Sequence, residues 1–136
     1  MKKHLEVSGA VFVKDGRVFA ARRGESVYPY VAHKFEFIGG KLEKGESAEA
    51  ALVRELKEET GMSVRVIAPF MTVEHEYPDF CITLHTFLCE MLSPYALNEH
   101  EEARWVAAEE LDPEDWAPAD APVVNALRAK ISKGKG

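Results

Sequence analysis

The sequence predicts an α+β domain, a mixed β-sheet with helices packed on it, on three observations. Segments with strand character outnumber those with helical periodicity. Short turn signals join neighbouring strands as hairpins. Two stretches, Ser47–Thr60 and Pro118–Ile131, repeat apolar residues at helical spacing, so each must bury a stripe against the sheet.

The elements follow in chain order. Leu5–Val13 is apolar with few charges and reads as a buried strand. Lys14-Asp15-Gly16-Arg17 is a hairpin signal, and Val18–Ala21 returns as a second strand. Arg22–His33 is polar and reads as a loop. Phe35–Phe37 is short and extended, and Gly39-Gly40 breaks the chain. Ser47–Thr60 is the strongest helix, with Ser47 as N-cap, Ala48, Ala51, Leu52 and Leu56 at helical spacing, and Gly61 at the left-handed position after the last turn. Val64–Val73 and Ile82–Leu92 read as longer strands, separated by a turn at Pro78-Asp79. Arg104–Ala107 is a short strand and Ala108–Leu111 a helical turn. The last helix, over Pro118–Ile131, carries Val123, Val124, Leu127 and Ile131 on one stripe. One domain over residues 1–132 is expected, followed by a frayed tail at 133–136.

Composition narrows the function. The 136 residues are 46% apolar and 29% charged, as in a folded globular protein. With 17 basic and 23 acidic residues the net charge is −6, which argues against stable nucleic-acid binding through a basic surface. It leaves room for a small phosphate ligand, provided divalent cations sit between the phosphates and the protein. No apolar run approaches the ~20 residues of a membrane span. The N-terminus lacks the apolar core of a secretory signal, so a cytoplasmic protein without membrane attachment is expected. Cys81 and Cys89 fall in one extended segment, ~26 Å apart when fully stretched, and cannot bridge each other.

The informative stretch is Gly40–Met62. It reads Gly40, five residues, Glu46, seven residues, Arg54-Glu55-Leu56, one residue, Glu58-Glu59, one residue, Gly61-Met62. A glycine loop thus feeds a helix whose C-terminal half carries Glu55, Glu58 and Glu59 at i, i+3 and i+4. Like charges at that spacing cost ~0.2–0.5 kcal/mol per pair, and they lie near the negative end of the helix dipole. A helix chosen for stability alone would avoid them. A hard cation such as Mg²⁺ removes the penalty, because it takes carboxylate, carbonyl and water oxygens and bridges to phosphates. A solvated acidic face, partly neutralised by Arg54 and Lys57, is the alternative from the carboxylates alone.

The spacing matches the Nudix box, Gly-x5-Glu-x7-Arg-Glu-U-x-Glu-Glu-x-Gly-U with U apolar, at every specified position. A chance match is on the order of one in a billion per start site at ordinary residue frequencies. Outside the box, Arg22-Arg23, Lys34-Phe35-Glu36-Phe37, Glu76-Tyr77-Pro78-Asp79 and Pro118-Ala119-Asp120-Ala121-Pro122 also resemble MutT-type members of the family. The resemblance covers nearly the whole chain.

That resemblance implies an α/β/α sandwich with a central mixed sheet and a loop–helix motif. It implies Mg²⁺- or Mn²⁺-dependent hydrolysis of a nucleoside diphosphate linked to another group. Glu55, Glu58 and Glu59, with the carbonyl of Gly40, would ligate metal. Arg54 would orient the carboxylates, Glu46 would pair with Arg54, and Gly61 would close the motif. For the general base, Glu99 fits the family position best, six residues before Trp105, with Glu101, Glu102 and Glu58 as rivals. Arg23, Phe37, Lys41, Tyr77 and Asp120 are the candidate substrate contacts. For each a bland role stands beside it: a surface cation for Arg23 and Lys41, core packing for Phe37 and Tyr77, a helix cap for Asp120. The five histidines show no metal-ligand spacing and read as structural or exposed.

Asp120 discriminates between substrates. MutT-type enzymes acting on oxidised dGTP resemble this chain but carry asparagine there, which donates and accepts. Ionised Asp only accepts and suits an exocyclic amine such as cytosine N4. The Pro-Ala-Asp version resembles the CTP pyrophosphohydrolase branch. The expected reaction is nucleoside triphosphate plus water to monophosphate plus pyrophosphate, on CTP, dCTP or modified nucleotides, by a monomer or homodimer. The alternatives are an 8-oxo-dGTP diphosphatase, a hydrolase of another diphosphate such as ADP-ribose, and a ligand-binding regulator without turnover.

Overall fold

A computed structural model describes residues 2–135, with side chains through residue 131. The strands are β1 (Lys3–Val11), β2 (Val13–Lys14), β3 (Arg17–Arg23), β4 (Phe35–Glu36), β5 (Gly39–Lys41), β6 (Val64–Glu76), β7 (Phe80–Met91) and β8 (His100–Ala107). The helices are α1 (Ala48–Thr60) and α2 (Ala121–Lys135), with 3₁₀ turns at Ala108–Glu110 and Pro113–Asp115.

A four-stranded mixed sheet runs β5-β1-β7-β6, with β1 parallel to β7 and the other pairs antiparallel. Alternation along its strands sends side chains to both faces. On one face Ala10, Phe87 and Cys89 pack with Leu52, Leu56 and Met62 of the α1 region. On the other Val11, Val73 and Leu84 pack with Val123, Val124 and Leu127 of α2. Each helix lays its apolar stripe on one face of the sheet, which gives the α/β/α sandwich.

A second sheet departs from the single sheet expected. It joins β2, β3 and β4, with β8 also paired to β3. The cause is local. The first strand does not run through to Val13; it is interrupted at Phe12, and only β2 pairs with β3, through a turn in which Asp15 and Gly16 have φ of 53° and 74°. Phe12 is 2% exposed and its carbonyl accepts from the Phe19 N–H, so the corner is anchored in the core. Arg22 and Arg23, expected in a loop, end β3. Gly39-Gly40 does not break the chain but forms β5, registered so that Ser8 faces Gly40 and Gly9 faces Gly39. The final helix begins at Ala121, not Pro118, and takes in Lys133–Lys135 of the expected tail. Gly136 lies outside the described residues. Both cysteines are free and lie on β7, as their spacing requires.

Candidate active site

The site is built where α1 crosses β5. Ser47 caps α1, its hydroxyl accepting from the Ala50 N–H at 3.1 Å, and Gly61 ends it at φ 72° with its N–H on the Lys57 carbonyl. Burial of Ala51, Leu52 and Leu56 fixes the helix rotation and turns Arg54, Glu55, Glu58 and Glu59 away from the core. A Cβ on Gly40 would stand 2.3 Å from the Glu55 carboxyl, and one on Gly39 would stand 1.8 Å from the Ser8 carbonyl oxygen. Both glycines are therefore required by close approach, one to a side chain and the other to backbone.

Arg54 organises the motif. Its Nε donates to Glu46 Oε2 at 2.7 Å and its Nη2 to Glu46 Oε1 at 2.9 Å. Its Nη1 donates to Glu55 Oε1 at 2.9 Å and Glu58 Oε2 at 3.0 Å, while Nη2 also reaches the Lys41 carbonyl at 3.1 Å. The hydrogen bond from Arg54, aided by the Glu43 N–H, lowers the Glu46 carboxyl to about 2.

A cleft of about 330 Å³ opens beside this clamp, lined by Glu55, Glu58, Glu59, Asn98 and Glu99. Glu59 is the buried member. Burial first, then a hydrogen bond with Glu99, raises it to about 8, against a lowering from His100. Asn98 donates to the Glu59 carbonyl at 2.8 Å and secures the segment that delivers Glu99. Of the rival bases, Glu101 and Glu102 are paired to Arg22, at 3.1 and 2.9 Å, and do not line the cleft. The register between β3 and β8 shifts at Arg22/Arg23, so His100 opposes Arg23 and Glu101 is left between the paired residues.

Among the described residues no three acidic, His or Cys side chains already stand in metal-ligating geometry. The carboxylates share one cleft but are divided: Glu55 and Glu58 turn to Arg54, Glu59 to Glu99 and His100. The donor set nonetheless fits a hard divalent cation. It consists of carboxylate oxygens with the Gly40 backbone against Glu55, and it contains no sulfur.

The substrate candidates fare differently. Arg23 donates to Glu36 Oε1 at 3.1 Å and is half exposed. Lys41 is exposed at the end of β5. Phe37 and Tyr77, expected to border a base, are each 4% exposed and serve the core. The Phe37 ring packs on Trp116 with centroids 4.6 Å apart. Tyr77 stacks on Tyr30 at 4.7 Å, and its hydroxyl accepts from the Ala119 N–H. Their aromatic character carried the expectation of a base contact; in this fold both rings pack in the core, the bland role that stood beside it. Both still shape the site, because the Phe37 N–H donates to Asp120 Oδ1 at 3.4 Å and Tyr77 holds the residue before Asp120. The Asp120 carboxyl thus accepts from the residue that follows β4, while its backbone carbonyl accepts the first N–H groups of α2, from Val123 and Val124. Burial, then the charge of Glu36, raises it well above the usual carboxylate range, against lowering by the Phe37 N–H and Arg23.

Sequence reasoning missed Glu36, Asn98 and His100. Their signal was weak: a histidine next to Glu99 and a glutamate between two phenylalanines.

The NUDIX domain model matches residues 2–127. The chain belongs to the Nudix family. This Nudix protein is 35% identical over 130 residues to an 8-oxo-dGTP diphosphatase of Escherichia coli K12, covering 94% of this chain and 98% of that one. It is 34% identical over 128 residues to a CTP pyrophosphohydrolase of the same organism, covering 93% of each. Among solved structures it superposes with TM-score 0.73 and 37% identity on a MutT protein of methicillin-resistant Staphylococcus aureus 252, covering 96% of this chain and 99% of that one. Among the described residues no helix is long and apolar enough to cross a membrane.

Proposed function

We propose that this Nudix protein hydrolyses nucleoside triphosphates to monophosphate and pyrophosphate in the cytoplasm, using Mg²⁺ or Mn²⁺. The observation that carries the reading is the cleft at the C-terminal half of α1, where Glu55, Glu58, Glu59 and Glu99 meet beside the Gly40 backbone. Glu55, Glu58, Glu59 and the Gly40 carbonyl would hold the cation, which when bound offsets phosphate charge and lowers the pKa of water. Arg54, clamped by Glu46, keeps Glu55 and Glu58 aligned. Glu99, which lines the cleft without an Arg54 bond, would take the proton of the attacking water, with Glu58 as the second candidate. Lys41 and Arg23 supply positive charge for phosphate and nucleotide.

The base is read at Asp120, and CTP or dCTP leads because an ionised carboxylate accepts from an exocyclic amine. A second reading has its own support. Asp120 is 7% exposed, and burial favours its protonated form, which donates and accepts as an asparagine amide does. That form suits an oxidised guanine. The names of the relatives span both substrates.

The test is pyrophosphate release with Mg²⁺ over CTP, dCTP, dGTP, 8-oxo-dGTP and ADP-ribose, repeated on Asp120→Asn. Turnover of the triphosphates is expected, with the ratio of kcat/KM values moving toward 8-oxo-dGTP in the variant. An unchanged ratio overturns the ionised-carboxylate reading and leaves the protonated, asparagine-like one; absence of turnover on every nucleotide removes the enzyme reading.

A further inference from the structure

The His100 side chain is 4% exposed and lies between two carboxylates. Its Nε2 stands 2.8 Å from Glu36 Oε2. Its Nδ1 is buried without a hydrogen bond, and Glu59 Oε1 lies 3.5 Å away. The second oxygen of Glu36 accepts from Arg23. A continuous polar chain therefore runs Arg23–Glu36–His100–Glu59–Glu99, from the second sheet to α1 and the acidic cleft.

The geometry points to His100 as a positioning residue that sets the direction of the Glu59 carboxylate and ties it to the Arg23–Glu36 pair on the nucleotide side. The inference rests on the reading of the cleft as a divalent-cation site. Glu59 is crowded by the acidic groups of Glu36 and Glu99, and the ring is the basic group that separates it from Glu36. A planar ring fixed at Nε2 has one remaining polar atom, and its position is settled once the first bond is made. Partners of ligating carboxylates behave as part of the site: their loss costs metal affinity or activity by roughly 10–100-fold.

Mn²⁺ binding in the absence of nucleotide, followed by electron paramagnetic resonance of free Mn²⁺, tests this with His100→Ala, His100→Asn and His100→Gln. The asparagine amide nitrogen stands near the place of Nδ1, the glutamine amide nitrogen near that of Nε2. His100→Ala is expected to weaken Mn²⁺ binding by roughly 10–100-fold, His100→Asn to recover most of it and His100→Gln less. A filler of space would not distinguish the two amides. Should His100→Ala fail to fold, the Asn–Gln pair decides: equal affinities overturn the assignment. Wild-type affinity in a folded His100→Ala also overturns it while leaving the cation site standing. If wild type binds no Mn²⁺, the cation site and the role of His100 fall together.

Discussion

Glu58 shows how one side chain divides between stability and chemistry. It is 62% exposed, and its pair with Arg54 is one of several that Arg54 makes. Exposed pairs contribute about 0–1 kcal/mol, so Glu58→Gln should unfold within a few degrees of wild type. Activity should fall at least about 100-fold, because the variant removes one charged oxygen from the cleft without changing the helix. Circular dichroism and pyrophosphate release separate the two effects. Glu46 behaves in the opposite sense. Its carboxyl is lowered from 4.5 to about 2 by the Arg54 hydrogen bond, so its contribution to stability is present above pH 4.5 and is lost as pH falls toward 2. The gap in melting temperature between wild type and Glu46→Gln should therefore be constant near neutrality and close over that window. A gap that persists at pH 2 would mean that the Arg54 clamp does not depress Glu46.

At the scale of elements, β5 carries two adjacent glycines under different constraints. A methyl at Gly39 meets the Ser8 backbone, which cannot step aside, whereas one at Gly40 meets the movable end of Glu55. Gly39→Ala should cost about 1–3 kcal/mol or more in urea unfolding. Gly40→Ala should cost less stability but displace the Glu55 carboxyl, and its activity should drop at least about tenfold. Equal effects on stability would contradict this division. The same strand marks the limit of what was legible. The motif glutamates, the caps of α1 and the stripe of α2 were readable because spacing on a helix determines direction. The pairing of Gly39-Gly40 with Ser8 and Gly9 was not, since glycines carry no side-chain pattern. For Phe37 and Tyr77 the sequence left base contact and core packing side by side for a related reason: an aromatic residue looks alike in sequence whether it faces a ligand or the core. His100 was passed over because its partners, Glu36 and Glu59, are distant in sequence.

For the whole molecule, the two sheets hold different parts of the proposed site. Gly40 belongs to the mixed sheet, Arg23, Glu36 and His100 to the second, and α1 spans the gap with its carboxylates. A cation and nucleotide bound between them should stabilise the fold by mass action, about 2.7 kcal/mol at a hundred times Kd. Mg²⁺ with a non-hydrolysable triphosphate should raise the melting temperature by several degrees, and a chelator should reverse it. No shift at saturating concentrations would argue against the shared site. The position of β1 carries a further consequence. It sits inside the mixed sheet, yet its parallel partner β7 begins at Phe80. On the ribosome, at about 5–20 residues per second, this first strand waits roughly 4–15 seconds for that neighbour. Until then the edge of β1 that β7 will cover keeps its N–H and C=O groups open, and any other strand in reach can compete for them.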